Sequence, residues 1–168
     1  MKAKLTIDGK EFEVEISEEQ VQALTKTKKK TGYERVKKGE YYYTGTVDGT
    51  SDCYTESNDR FDGRIYECAN YYSDRTVAEN NARADKLYRQ LRRFAVEHRK
   101  EILDWNDGDI GKVVLYYNHS INKIDYASSF LRHEYGQIYF NSEETAQLAI
   151  DTFRDELLWY FTEYKDSL

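Results

Sequence analysis

Residues 136–164 read GQIYFNSEETAQLAIDTFRDELLWYFTEY, and this stretch decides the fold. Gly136-Gln137-Ile138-Tyr139-Phe140 has the composition of a short strand, and Asn141 or Ser142 is placed to cap a helix. Ala146, Ala149, Ile150, Phe153, Leu157, Phe161 and Tyr164 then recur at spacings of three and four, one apolar stripe at the helical period. A stripe holding three aromatic rings needs a surface to cover it. The rest of the chain is expected to supply that surface as a sheet.

Strand and helix signals upstream agree. Ala3, Leu5 and Ile7 alternate with polar residues, Asp8-Gly9 follows, and Phe12, Val14 and Ile16 alternate again. An Asp-Gly pair between alternating runs predicts a two-residue hairpin, because its turn needs positive φ at both central positions. Ser17 to Gln20 forms a capping box for a short helix carrying Val21 and Leu24. Glu40 to Val47 predicts a strand with three consecutive tyrosines, Asp48 to Asp62 a long polar loop, and Arg64 to Tyr72 a returning strand. A long helix is predicted over about 73–100, with Val77, Ala84, Leu87, Leu91, Phe94 and Ala95 on its buried stripe. Trp105 to Asp109 stops it. Lys112 to Tyr117 predicts a strand, with Ile124 to Ala127 pairing back, ahead of the closing helix at about 142–164. Arg64–Leu91 and Gly136–Phe161 echo each other: strand, tyrosine-rich end, cap, amphipathic helix.

The predicted fold is therefore α+β: an antiparallel, tyrosine-rich sheet covered by two amphipathic helices, with an N-terminal β-hairpin and short helix. Residues 1–38 are expected to form the hairpin-helix subunit and residues 39–168 the main domain, within a chain short enough to be one compact unit. A chain of 168 residues buries enough surface to need no metal or disulfide staple. Mean hydropathy is low at -0.89, yet 16 tyrosines, 7 phenylalanines and 2 tryptophans argue for order, since disordered chains are poor in aromatics. No proline is present, so turns rely on Gly, Asn, Asp and Ser. The N-terminus lacks an apolar leader, and nothing approaches the about 20 apolar residues of a membrane span. A cytoplasmic protein with Cys53 and Cys68 reduced is the expectation.

No catalytic pattern is present, and the chain is expected to be no enzyme and to need no cofactor or metal. From Asp104, a calcium loop would need glycine at position 6 and glutamate at position 12, but glycine falls one place early and Leu115 stands at the end. His98, His119 and His133 are scattered, and the glycines form no phosphate-binding fingerprint.

Charge is unevenly spread around a net -6. Asp48, Asp52, Glu56, Asp59 and Asp62 form a candidate partner-binding acidic loop, able to imitate a phosphate track in a cationic channel. Lys26, Lys28, Lys29, Lys30, Arg35, Lys37 and Lys38, followed by Tyr41 to Tyr43, form the alternative: a nucleic-acid-binding stretch of bases beside stacking rings. The excess of tyrosine points to protein contact, with a partner or with a second copy as a homodimer or an assembly component.

Tyr33-Glu34-Arg35-Val36, Gly39-Glu40-Tyr41-Tyr42-Tyr43, Asn70-Tyr71-Tyr72-Ser73, Leu91 to Glu97, Asp104-Trp105-Asn106-Asp107, Gly136 to Phe140 and Leu157-Leu158-Trp159-Tyr160-Phe161 together resemble a group of small phage and prophage accessory proteins of Gram-positive bacteria. The resemblance spans nearly the whole chain. It implies a small protein made in the cytosol of an infected or lysogenic bacterial host. Some proteins of such neighbourhoods are anti-CRISPR inhibitors, so a host defence protein is the implied partner: a Cas effector such as Cas9 with its guide RNA. The resemblance carries over no catalytic residue.

Overall fold

The computed structural model describes residues 2–7, 10–15, 17, 30–99, 102–108, 111–129 and 132–168. The fold is α+β, as the patterning predicts. It divides into two units, 1–31 and 32–168.

In the first unit, β1 (Lys2–Ile7) pairs antiparallel with β2 (Lys10–Glu15) in a register running from Lys2↔Glu15 to Ile7↔Lys10. Two residues remain between the last pair, the spacing of the predicted tight hairpin. Lys4 Nζ meets Glu11 Oε2 at 3.2 Å across the pair. The Asp8-Gly9 pair and the predicted helix through Val21 and Leu24 lie outside the described residues.

The boundary falls after Thr31 rather than after Lys38. Residues 32–38 are stitched into the larger unit. Ser73 N donates to Gly32 O at 2.7 Å, Val36 N to the Tyr71 hydroxyl at 3.3 Å, and Arg35 grips Glu56.

The larger unit opens with β3 (Tyr41–Gly45) and β4 (Ser51–Thr55), paired from Tyr41↔Thr55 to Gly45↔Ser51. The predicted polar loop is thus a tight hairpin followed by a helix, α1 (Arg60–Glu67), which also replaces the predicted strand over 64–72. The reason is local. The Asp59 side chain accepts from the backbone of Phe61 and Asp62 while Asp62 reaches back to Asp59 N, a reciprocal capping box that starts a helix where composition alone suggested a strand. Only Tyr72 of the expected strand pairs, exchanging both backbone hydrogen bonds with Tyr43. Beside it the Asn70 amide imitates a strand residue, accepting from Gly45 N at 2.8 Å and donating to Gly45 O at 3.0 Å.

α2 (Arg75–Glu97) starts at Asp74, whose side chain accepts from Val77 N, one residue beyond the predicted Ser73 cap. Its buried stripe is Val77, Ala78, Ala82, Leu87, Leu91, Phe94 and Ala95. β5 (Lys112–Asn118) and β6 (Lys123–Ser129) pair from Lys112↔Ser129 to Asn118↔Lys123. The predicted strand over 136–140 contracts to a single bridge, in which Phe140 and Val113 exchange backbone hydrogen bonds of 2.8 and 2.9 Å. Gly136, at φ +78, turns the chain just before it.

The closing helix is two helices, α3 (Glu143–Thr152) and α4 (Arg154–Thr162). They part at Phe153, whose ring stands perpendicular to Phe94 at 5.5 Å. Phe153 N still reaches Ala149 O and Leu157 N still reaches Phe153 O, both at 2.9 Å, so the apolar stripe keeps its register across the break.

The described strands form three two-stranded sheets rather than the single sheet predicted. β3 and β5 each use their second edge for a one-residue bridge, to Tyr72 and Phe140, and so do not meet another hairpin. The echo in the sequence becomes a repeated design: hairpin, bridging aromatic, side-chain cap (Asp74, Ser142), and a helix whose first-turn alanine (Ala78, Ala146) is fully buried. The main core joins α2, β5, β6, α3 and α4 through Leu87, Leu91, Phe94, Val113, Ile124, Phe140, Ala149, Ile150 and Leu157.

Candidate functional site

The five predicted acidic residues do not form one surface. Glu56 is 1% exposed and Asp62 2%, where an acidic docking loop would display them. Glu56 Oε2 accepts from Arg35 Nε at 3.1 Å and from the Tyr71 hydroxyl at 2.7 Å, and its Oε1 accepts from Arg35 Nη2 at 3.1 Å and Asn58 N at 2.8 Å. Asp62 Oδ1 accepts from the Tyr42 hydroxyl at 2.8 Å, and Oδ2 accepts from Ser57 N and Oγ, both at 2.8 Å. The Tyr42 and Tyr71 rings stack at 4.1 Å, with the Tyr66 edge on Tyr71 at 5.4 Å. Asp59 is a helix cap. Asp48 is exposed, accepting in its turn from the Thr46 and Thr50 hydroxyls. Asp52 lies exposed on β4. Glu56 and Asp62 belong to a buried network with Arg35, Tyr42, Ser57 and Tyr71, in which Asp62 ties α1 to the β3–β4 hairpin; buried carboxylates of this kind are tolerated because their lone pairs are filled.

This network gives stability a pH signature. The Arg35 guanidinium, opposed by burial and helped by Tyr71 and Asn58, holds the Glu56 carboxyl below its ordinary range. Burial alone would raise Asp62, but the bonds from Ser57, Tyr42 and Asp59 outweigh it and leave its carboxyl far below the usual values. Burial and the adjacent carboxylates raise both tyrosine hydroxyls above theirs. Depressed carboxyls stabilise the fold above their unfolded pKa of about 4, and the benefit is lost as pH falls through the folded values. Raised phenols stabilise it below about 10, and the benefit is lost as pH rises toward their folded values. The melting temperature is expected to be flat between about pH 5 and 9 and to fall on either side. Asp62→Asn should flatten the acid limb in thermal melts followed across pH, and an unchanged acid limb would contradict this origin.

The predicted basic stretch is divided. Lys26, Lys28 and Lys29 lie outside the described residues. Lys30 belongs to the first unit and is exposed, and Lys37 and Lys38 are exposed in the second. Arg35 is engaged by Glu56 and lies 5.6 Å over the Tyr66 ring.

A feature with no counterpart in the sequence reading is a groove between α2 and α4, of about 430 Å³. Leu87, Leu91, Leu115, Phe140 and Leu157 form its floor, and Asp85, Tyr88, Tyr160 and Tyr164 stand around it. Its size and apolar lining with few polar groups are those of a binding cleft. Tyr160 stacks on Tyr164 at 5.2 Å, and the Tyr164 hydroxyl donates to Asn81 Oδ1 at 2.9 Å, so this wall is pre-set. Tyr88 and Tyr160 remain 38% and 40% exposed, available to a partner. The Tyr164 hydroxyl is pushed up to about 12, by burial first and then by Tyr33, Asp166, Tyr160 and Asp85. Among the described residues, Asp85 is the one charged side chain in the lining. Ala84, Tyr88 and Leu91 are spaced four and three apart, so a wider stripe on α2 was the available signal for Tyr88. Asp85 and Tyr160 carried no such signal, being visible only once α4 lies against α2.

Cys53 and Cys68 are free and exposed. Among the described residues, no helix is long and apolar enough to cross a membrane. No family model, curated protein or solved structure matches the chain.

Proposed function

We propose that this is a non-catalytic binding protein that holds a protein partner in the groove between α2 and α4. One observation carries the reading: a pre-set cleft of about 430 Å³ with an apolar floor and half-exposed tyrosines beside one carboxylate. Tyrosines of this kind are favoured anchors at protein interfaces, and a water-excluding apolar floor is where binding energy concentrates. The complementary segment offers an apolar side chain to the floor and a lysine or arginine to Asp85 and the tyrosine faces. Proteins that handle nucleic acid display such basic segments. With the resemblance to phage accessory proteins, this keeps a host defence effector such as Cas9 with its guide RNA as the first partner to test, in the bacterial cytosol.

The test is capture of host proteins on tagged protein, with and without nuclease, using the native chain and the Tyr88→Ala/Tyr160→Ala variant. A nuclease-resistant, stoichiometric partner that binds the variant at least about tenfold more weakly is the expected result, the loss of one interface anchor being worth about 1–2 kcal/mol. Equal capture by the variant would reject the groove. A partner lost on nuclease treatment would reject the protein-contact reading.

A further inference from the structure

A second pocket, of about 210 Å³, lies beyond the Gln137–Ile138 wall of the groove. Its lining combines Arg92 of α2 and Arg99, two residues past the end of that helix, with Trp105, His133 and Tyr139, and holds no carboxylate among the described residues. Trp105 and His133 stack face to face at 4.1 Å and 8°, and Tyr139 sets its edge against both, at 4.8 and 5.5 Å.

Both loops carrying the stack are tied from below. Glu134 N donates to the Tyr139 hydroxyl at 2.7 Å, and that hydroxyl donates to Arg132 O at 3.2 Å, fixing the residues on either side of His133. On the other loop, Asn106 N donates to Asp104 Oδ1 at 2.8 Å. The Lys112 ammonium, on a fully buried side chain, donates to Asp107 O at 2.6 Å and lies 5.5 Å over the Trp105 ring. His133 is exposed.

Neither Arg92 nor Arg99 is in an ion pair among the described residues, whereas Arg75, Arg83 and Arg93 of α2 are each paired with a glutamate. A rigid aromatic platform beside two uncommitted guanidinium groups recognises a flat ring joined to an anion. The ring stacks on the platform, and the guanidinium forks bind phosphate oxygens.

We propose that Arg92, Arg99 and the Trp105–His133 stack form a binding site for a nucleoside phosphate, presented as a free nucleotide or within a single strand. The base lies against the aromatic stack, and the phosphate meets the two arginines. The site uses no residue of the Lys26–Lys38 stretch and shares only the Gln137–Ile138 wall with the tyrosine groove, so its test does not depend on either.

The test uses the full chain, with AMP and an oligothymidylate of about ten nucleotides as probes, at low salt. Binding is followed by quenching of tryptophan fluorescence for AMP and by anisotropy of a labelled oligomer. Quenching by AMP is expected, with at least about tenfold weaker binding in Arg92→Ala/Arg99→Ala and a comparable loss in His133→Ala. Melting temperatures should stay near that of the native chain, because these side chains lie at the surface. Binding of both probes assigns free nucleotide chemistry to the site; binding of the oligomer alone assigns it to a single strand, with log affinity falling against log salt at about 0.7 per phosphate. No binding of either probe would overturn the proposal. So would binding that the arginine pair variant leaves unchanged.

Discussion

Glu56→Ala is expected to destabilise the 32–168 unit by about 2–4 kcal/mol, a fall in melting temperature of roughly 10 °C for a unit of this size. The change strips four hydrogen bonds from one carboxylate and leaves the Tyr71 hydroxyl, Asn58 N and the Arg35 guanidinium without their acceptor. The cost of such a deletion is mainly the burial of unpaired groups rather than the lost attraction. Arg35 keeps a 36% exposed side chain and regains water, which is why the figure sits at the low end of what breaking a buried ion pair costs. Asp52→Lys, on the exposed face of β4, should change stability by no more than about 0.5 kcal/mol. Urea unfolding separates the two: the midpoint should shift for Glu56→Ala with the slope unchanged. A loss below about 1 kcal/mol would mean that the Arg35–Glu56–Tyr71 network does not hold residues 32–38 to the rest of the unit. The contrast also decides how the acidic residues are to be probed for binding. Reversing all five charges at once would unfold what it sets out to test, whereas Asp48 and Asp52 can be changed without touching the core.

Why Glu56 and Asp62 read as a solvated loop is a physical question. An acidic side chain looks the same in sequence whether water or protein fills its lone pairs. The partners that settle it are distant: Arg35 lies 21 residues before Glu56, and Tyr42 lies 20 before Asp62. Signals that close within a few residues were legible. The β1–β2 register follows from alternation around Asp8-Gly9, the stripe of α3 follows from spacing, and so does that of α2 except that Ala78 and Ala82 are buried in it and Ala84 is only half-buried. α1 was misread because Ile65, Tyr66, Tyr71 and Tyr72 suit a strand by composition, while the deciding contact is the reciprocal cap of Asp59 and Asp62. The break at Phe153 has no local cause either, since no glycine or proline marks it and its ring packs on Phe94 from another helix. Neither candidate pocket was legible, since each is walled by segments remote in sequence. Part of the tyrosine excess now has a structural use, in the Tyr42–Tyr71 stack, and part remains at the surface in Tyr88 and Tyr160.

Phe140→Ala should cost more than any exposed substitution, about 3–5 kcal/mol. Its ring is 1% exposed and packs in the core that joins α2, β5, α3 and α4. Its backbone bridge to Val113 survives the change, so the loss isolates the ring from the hydrogen bonds. Two terms add: the transfer of a large apolar side chain and the void it leaves. The void has a particular consequence here, because Phe140 also lines the floor of the tyrosine groove. Removing the ring deepens the groove instead of sealing a closed cavity. Water can then enter from the open side, which places the expected loss nearer 3 than 5 kcal/mol. The same geometry links stability to binding: the variant should hold a groove partner more weakly even where it is fully folded, since the apolar floor has receded. Leu87→Ala, from a neighbouring part of that floor, should behave alike. Ile124→Ala lies in the same core but outside the groove lining, so it should lower stability and leave partner affinity unchanged in the folded protein. Paired unfolding and partner-binding measurements on the three variants test the link. If Ile124→Ala weakened binding as much as Phe140→Ala, the effect would be one of general loosening, and the groove floor would have no special part in recognition.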